Sequence, residues 1–192
     1  MAGIFDLPAE YHVIKQLNMQ KDKKLVVLLN VVALIIAIVL VLIGLKLVPI
    51  SFVVILGNRF DFLIRLLMIL VGMILYILSH ELIHGLFIRL FSGKKAKYGF
   101  TGLYAYAGTD AYFNKRHYLT IALAPVVFFG VAFLLMNTFL PSEWFWFVYL
   151  LQILNVSGAA GDLYVTYLMQ RLPKDILVQD RGIEVTIYSC GQ

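Results

Sequence analysis

The chain alternates between long apolar stretches and short polar segments. The long stretches cover residues 25–48, 62–91, 118–140 and 144–169. Each is long enough to cross the roughly 30 Å hydrocarbon core of a bilayer as an α-helix, which takes about 20 residues. A fifth apolar run, 50–56, is too short to span and is closed by glycine and asparagine, so it is predicted to be an interfacial loop. The pattern predicts about four transmembrane helices.

The composition indicates the same class of protein. Hydrophobic residues make up 61% of the chain and charged residues 14%, and the mean hydropathy is +0.88. These values are far from those of soluble domains, so we expect an all-α polytopic membrane protein. With 192 residues, the chain is predicted to form a single integral membrane domain, 1–192. The single cysteine, Cys190, excludes an intrachain disulfide framework and a cysteine-rich zinc ribbon.

The basic residues predict the orientation in the membrane. The formal net charge is +5, but the Lys and Arg side chains flank apolar stretches and form no soluble basic face, so nucleic-acid binding is not expected. Thirteen of the sixteen lie in the N-terminal segment, the second connection and the tail, 170–192; the others are Lys46, Arg59 and Arg65. The positive-inside rule then predicts a multi-pass protein of the cell membrane with both termini and the tail in the cytoplasm.

A metal-binding motif lies inside the second apolar stretch. Its sequence is His80-Glu81-Leu82-Ile83-His84. Histidines at i and i+4 share one helix face about 6 Å apart and can hold one zinc ion. The glutamate between them can act as general base on a water activated by the metal. A buried polar cluster is the alternative, but three ionisable residues in five lipid-embedded positions are costly without a function.

Asp162 is predicted to be the third zinc ligand because its depth in the membrane matches that of His84. With the predicted topology, His84 and Asp162 each lie about seven residues from the cytoplasmic end of their apolar stretch. An intramembrane carboxylate costs at least about 2.5 kcal/mol, so a functional partner is expected. Small residues at 157–161 would let the helices approach closely. A hydrogen-bonding role between helices is the alternative for Asp162, and Asp110 and His117 are rival third ligands.

His80, Glu81 and His84 on one predicted span, followed by Asn155 and Asp162 on a later one, resemble the site-2 protease class of intramembrane zinc metalloproteases. More narrowly, they resemble a prokaryotic family of membrane zincin peptidases. The resemblance implies that His80, His84 and Asp162 bind zinc, that Glu81 activates water, and that Asn155 helps to hold the substrate. The second motif departs from that class, which has prolines between the Asn and the Asp and a glycine after the Asp.

The second connection and the tail show strand patterns. Aromatic residues and glycine recur at every second position over 98–106, which predicts a strand or hairpin. An edge strand here could capture an extended substrate by β-augmentation, or the segment could be an interfacial loop whose tyrosines form an aromatic belt. In the tail, 176–178 and 183–188 are predicted to be two short strands.

These features together predict a zinc-dependent intramembrane endopeptidase that acts on a membrane-spanning protein substrate in the lipid bilayer. The alternatives are a non-catalytic metal-binding membrane protein and a scaffold that binds single-span helices. The first alternative gives no reason for a glutamate between the two histidines. The presence of all the catalytic residue types argues against the second. No motif predicts the oligomeric state.

Overall fold

A computed structural model describes residues 5–18, 20–49, 59–102 and 104–190, so the loop predicted at 50–56 lies outside the described residues. The helices are α1 (Lys23–Leu47), α2 (Arg59–Ser92), α3 (Lys115–Phe139), α4 (Phe145–Gly158) and α5 (Ala160–Gln170), with a 3-10 turn at Ser142–Trp144. The strands are β1 (His12–Asn18), β2 (Lys97–Phe100), β3 (Ala105–Gly108), β4 (Tyr112–Asn114), β5 (Ile176–Asp180) and β6 (Glu184–Ser189).

Three helices, α1, α2 and α3, are long and apolar enough to cross a bilayer, within the part of the chain that the structure describes. They match the first three predicted spans to within a few residues at each end. Their outer faces carry large apolar side chains that the protein leaves uncovered, such as Leu34, Leu67 and Leu134, each at least 60% exposed. This is the surface expected of helices whose solvent is hydrocarbon.

The fourth predicted span is not one continuous helix. It breaks at Ala159, and the two parts, α4 and α5, meet at a bend of 42°. Ala159 leaves helical geometry with ψ at 18°, next to Gly158, whose low helix propensity makes a break inexpensive. Together α4 and α5 are long and apolar enough for a broken span or a re-entrant segment. The break places Asp162 in the first turn of α5.

A four-stranded antiparallel sheet joins both ends of the chain, in the order β1-β6-β5-β4. The two strands predicted in the tail are confirmed as β5 and β6. Strand β1 was missed, because only Leu17 of its seven residues is buried, so the segment has no alternating apolar face to recognise. Since β1 pairs with β6, the N- and C-terminal segments lie at the same end of the helices.

The sheet is attached to the helices by a buried apolar core. Met169 of α5 is fully buried and packs with Phe113, Val178 and Ile187 from three strands. A second cluster, around Tyr76, Phe133 and Val148, joins α2, α3 and α4 deeper in the bundle. The site described below lies between these two clusters.

Helix α1 packs closely against α4 through a glycine. A Cβ atom at Gly44 would lie 2.5 Å from Cε1 of Tyr149, so only glycine lets that ring approach. The Tyr149 hydroxyl donates a hydrogen bond of 2.8 Å to the Leu40 carbonyl, and the Trp146 indole donates one of 3.1 Å to the Val48 carbonyl. These contacts fix α1 as one wall of the bundle.

We therefore expect Gly44→Leu to destabilise the fold by about 1–3 kcal/mol, because an added side chain overpacks the contact with Tyr149. The thermal unfolding midpoint of the detergent-solubilised protein measures the effect. Val39→Leu, which enlarges an exposed side chain of the same helix, is the matched control and should leave the midpoint unchanged. Equal midpoints for Gly44→Leu and the native chain would contradict this account of the packing.

Candidate metal centre

The histidines of the motif lie one turn apart on the inner face of α2. Their ring centroids are 4.9 Å apart, and each residue is 8% exposed. Asp162 approaches from the first turn of α5: its Oδ2 is 3.5 Å from Nε2 of His80, and its Oδ1 is 3.6 Å from Nε2 of His84. One ligand atom from each of the three residues can be chosen so that all lie within 4.8 Å of one another.

The other ring nitrogen of His84 fixes which nitrogen faces Asp162. Its Nδ1 lies 2.9 Å from the carbonyl oxygen of Ile121 in α3. Because a carbonyl can only accept, Nδ1 carries the proton, and in the neutral ring Nε2 keeps its lone pair. This is the form of histidine that binds a metal, and a carbonyl partner on the second nitrogen is the usual support for it.

His80 is supported by side chains. Its Nδ1 lies 2.8 Å from the Tyr76 hydroxyl, which donates a hydrogen bond of 3.0 Å to Oδ1 of Asn155. The Asn155 amide in turn donates a hydrogen bond of 3.0 Å to the Val126 carbonyl. Asn155, predicted to contact substrate, is thus fully buried behind Tyr76. Tyr76 was not singled out from the sequence, although it lies four residues before His80 on the same helix face.

The rival third ligands lie elsewhere. Asp110 is exposed and forms ion pairs with Lys97 and Arg181, and its hydrogen bond from Lys97 holds its pKa below the ordinary value. The ring of His117 stacks on Phe91, with centroids 4.3 Å apart. Across the described ranges, His80, His84 and Asp162 are the one group of three side chains that could hold a metal ion.

The three residues line a cleft of about 530 Å³. Its walls come from helices α1 to α5, from strands β3 to β6 and from the turn between β5 and β6. Glu81 lines the same cleft beside the histidines and is partly exposed to it. Its carboxylate forms no hydrogen bond or ion pair with another described residue, so it is free to act on a molecule in the cleft.

A further carboxylate, Asp180, lines the cleft and was missed from the sequence. It accepts hydrogen bonds of 2.7 Å from the Tyr118 hydroxyl and from the Gly182 backbone, while its own carbonyl accepts one of 2.7 Å from the Thr109 backbone. Burial raises the pKa of Asp180, because the charged form loses solvation, and these donors offset part of the effect. The hydrogen bonds of Asp180 therefore connect α3, the tail and the end of β3.

The predicted hairpin is confirmed as β2 and β3, which pair antiparallel with Gly99 opposite Tyr106. Strand β3 lines the cleft. Two glycines let the hairpin lie close to α2 and to the turn between β5 and β6. A Cβ at Gly85 in α2 would collide with the Tyr98 hydroxyl, and one at Gly182 in the turn, where φ is +87°, would collide with the Tyr106 ring. The hairpin thus covers the residue next to His84.

The donor set fits zinc. Two imidazole nitrogens and one carboxylate form the set of three protein ligands found in catalytic zinc sites, which keep a further position for water or substrate. The two Nε2 atoms face the carboxylate, and each Nδ1 atom is hydrogen-bonded, one to the Tyr76 hydroxyl and the other to the Ile121 carbonyl. A hydrolytic site also needs a free base beside the metal, which Glu81 offers.

Comparison with known proteins agrees with this chemistry. Residues 72–177 match the family described as "Putative zincin peptidase"; the match covers more than half of the chain, which therefore belongs to that family. The description of that family names a zinc-dependent peptidase. No solved structure matches the chain.

A curated relative from Pyrococcus woesei, named as an uncharacterized 24.7 kDa protein in gap 5'region, is 33% identical over 117 residues. The aligned region is 57% of this chain and 50% of the relative, so the chain spans about half the length of the curated relative that it matches.

We expect the purified protein to bind about one zinc ion per chain, measured by elemental analysis in detergent. His80→Ala should lose the ion and Asp162→Asn should bind it more weakly, because each removes one ligand. His117→Ala and Asp110→Asn remove residues of the same types outside the cluster and should retain full zinc content. Zinc loss in these controls, or none in His80→Ala, would place the metal elsewhere.

Proposed function

We propose that this protein is a zinc-dependent intramembrane endopeptidase of the site-2 protease type. Its substrate is a membrane-spanning protein, which it cleaves in or near the spanning segment. One observation carries the proposal: a set of zinc-type donors and a free glutamate line one cleft within a bundle of helices that are apolar on the outside. Zinc would be held by His80, His84 and Asp162.

Membrane placement is part of the proposal. The chain would be a single domain in the lipid bilayer of the cell membrane, with both termini in the cytoplasm. The uncovered apolar faces of α1, α2 and α3 support this placement. The four-stranded sheet, which joins the Lys- and Arg-rich segments at one end of the helices, would then lie on the cytoplasmic side.

In the proposed reaction, the zinc that His80, His84 and Asp162 would hold would act as a Lewis acid towards the scissile carbonyl and would lower the pKa of the attacking water. The Glu81 carboxylate takes the proton from the attacking water and returns it to the leaving amine. The two histidines are held on α2 by the hydrogen bonds of their second ring nitrogens, and Asp162 faces them from the first turn of α5. The apolar walls of the cleft limit access of bulk water to these steps.

Strand β3 would hold the substrate. It pairs with β2 along one edge, and no strand among the described residues pairs with its other edge. Ala105, Tyr106 and Ala107 line the cleft together with His80. A substrate must be extended to be cleaved, and its freed backbone groups need partners inside a membrane. An unpaired strand edge beside the metal supplies them by β-augmentation, which favours this role over that of an interfacial loop.

Replacing the proposed base tests the reaction. We expect Glu81→Gln to keep the zinc content of the native protein and to lower cleavage by at least about a hundredfold, because the amide cannot accept the proton. The measurement is cleavage of co-expressed single-span membrane proteins, with zinc content determined on the same preparation. Retained proteolysis would refute the role of Glu81, and zinc binding without cleavage in the native chain would favour the metal-binding or scaffold alternatives.

Cross-linking tests the path of the substrate. Because Cys190 is the single cysteine, Cys190→Ser combined with Glu81→Gln gives a cysteine-free, inactive background. Ala105→Cys in this background should form a disulfide with a cysteine placed beside the cleaved bond of a substrate found above. The control is Phe100→Cys, directly opposite Ala105 on the outer strand β2 and 71% exposed. Equal cross-linking at both positions would contradict capture along β3.

A further inference from the structure

A chain of buried side chains runs from His80 away from the cleft. Tyr76 links His80 to Asn155, and Asn155 reaches the backbone of α3 at Val126. Asn155 is 0% exposed and Tyr76 is 6% exposed. Both polar groups of the Asn155 side chain are used in these bonds, so neither is directed to the cleft.

The direction of each hydrogen bond follows from the chemistry of its ends. The Val126 carbonyl can only accept, so the amide nitrogen of Asn155 faces it and Oδ1 faces Tyr76. Oδ1 can only accept as well, so the single hydroxyl proton of Tyr76 is used there. The Tyr76 oxygen then meets His80 as an acceptor, and Nδ1 of His80 must carry the proton. Its Nε2 keeps the lone pair and faces Asp162.

We propose that Asn155 is a positioning residue of the metal centre: acting through Tyr76, it fixes His80 in the tautomer and orientation that bind the metal, and it does not hold the substrate. This assignment rests on the proposed zinc peptidase function. It gives the two histidines different supports, a backbone carbonyl from α3 for His84 and a side-chain relay from α4 for His80. Such outer partners typically contribute ten- to a hundredfold to metal affinity.

The structure favours this role over the two other roles open to Asn155. Contact with a substrate needs an exposed polar group, and Asn155 has none. Simple attachment between helices would require only the bond to Val126, whereas the second bond of Asn155 goes to the tyrosine that contacts a zinc ligand. A variant that lacks the acceptor Oδ1 therefore distinguishes the positioning role from substrate contact and from simple attachment between helices.

The experiment measures the zinc dissociation constant of the full chain in detergent, by competition with a chelator. Tyr76→Phe and Asn155→Leu should each weaken zinc binding about ten- to a hundredfold. The double variant should be no weaker than Tyr76→Phe alone, because both changes break the same relay. Asn155→Asp should stay close to native affinity, since a neutral carboxyl can accept from Tyr76 and donate to Val126.

The matched control is Gln152→Leu, which removes a buried side-chain oxygen from the same face of α4. It should leave zinc affinity unchanged. With saturating zinc, Asn155→Leu should also cleave a single-span substrate with native KM. Thermal midpoints of all variants identify any that fail to fold, and Asn155→Asp and Tyr76→Phe keep the test intact if Asn155→Leu does fail.

Each contrary result has a distinct meaning. A raised KM with unchanged zinc affinity would assign Asn155 to the substrate. Equal zinc loss in Gln152→Leu, or additive losses in the double variant, would reduce its role to helix packing. Native zinc affinity in Tyr76→Phe and Asn155→Leu would overturn the positioning role alone, whereas absence of zinc from the native chain would overturn the proposed function and this assignment with it.

Discussion

The approach of one carboxylate to two imidazoles inside an apolar bundle is the interaction on which the rest of the structure depends. Asp162 lies about 3.5 Å from both Nε2 atoms, at a place where isolated charges are expensive. The carboxylate lies in the first turn of α5, which starts directly after the break at Ala159. A bound metal ion would offset the charge and give the three groups a common partner.

Around that interaction, the buried polar groups are hydrogen-bonded to partners, some of which are themselves hydrogen-bonded to a further group. The second nitrogen of each histidine has its own acceptor, one from the backbone of α3 and one from Tyr76. Asn155 accepts a hydrogen bond from Tyr76 and donates one to the Val126 carbonyl, so it joins α2, α3 and α4 at one buried point. Because an unpaired buried polar group costs about 1–3 kcal/mol, this network makes the helix positions interdependent. The candidate metal centre and the bundle core are therefore connected by one hydrogen-bond network.

The sheet end of the molecule is coupled to the same site through Asp180. This one residue accepts hydrogen bonds from α3, from its own turn and, through its carbonyl, from the end of β3. The hairpin that lines the cleft is thereby attached to the tail. The family match over residues 72–177 covers most of α2, all of α3, α4 and α5, and the first two residues of β5.

The sequence by itself determined the features that depend on local spacing. Hydropathy located three helices, the i and i+4 spacing placed His80 and His84 on one face, and alternation located the hairpin and the tail strands. It also predicted that Asp162 would reach the histidines. His84 and Asp162 lie equally far from the ends of their predicted spans, and that distance can be counted along the sequence. Only the structure showed the break at Ala159. Tertiary contacts decided the strand β1 and the hydrogen-bond partners of Tyr76, Asn155 and Asp180. These depend on contacts between distant segments, such as the bond across 79 residues from Tyr76 to Asn155, and no periodicity along the chain records which distant partner a buried polar group will meet.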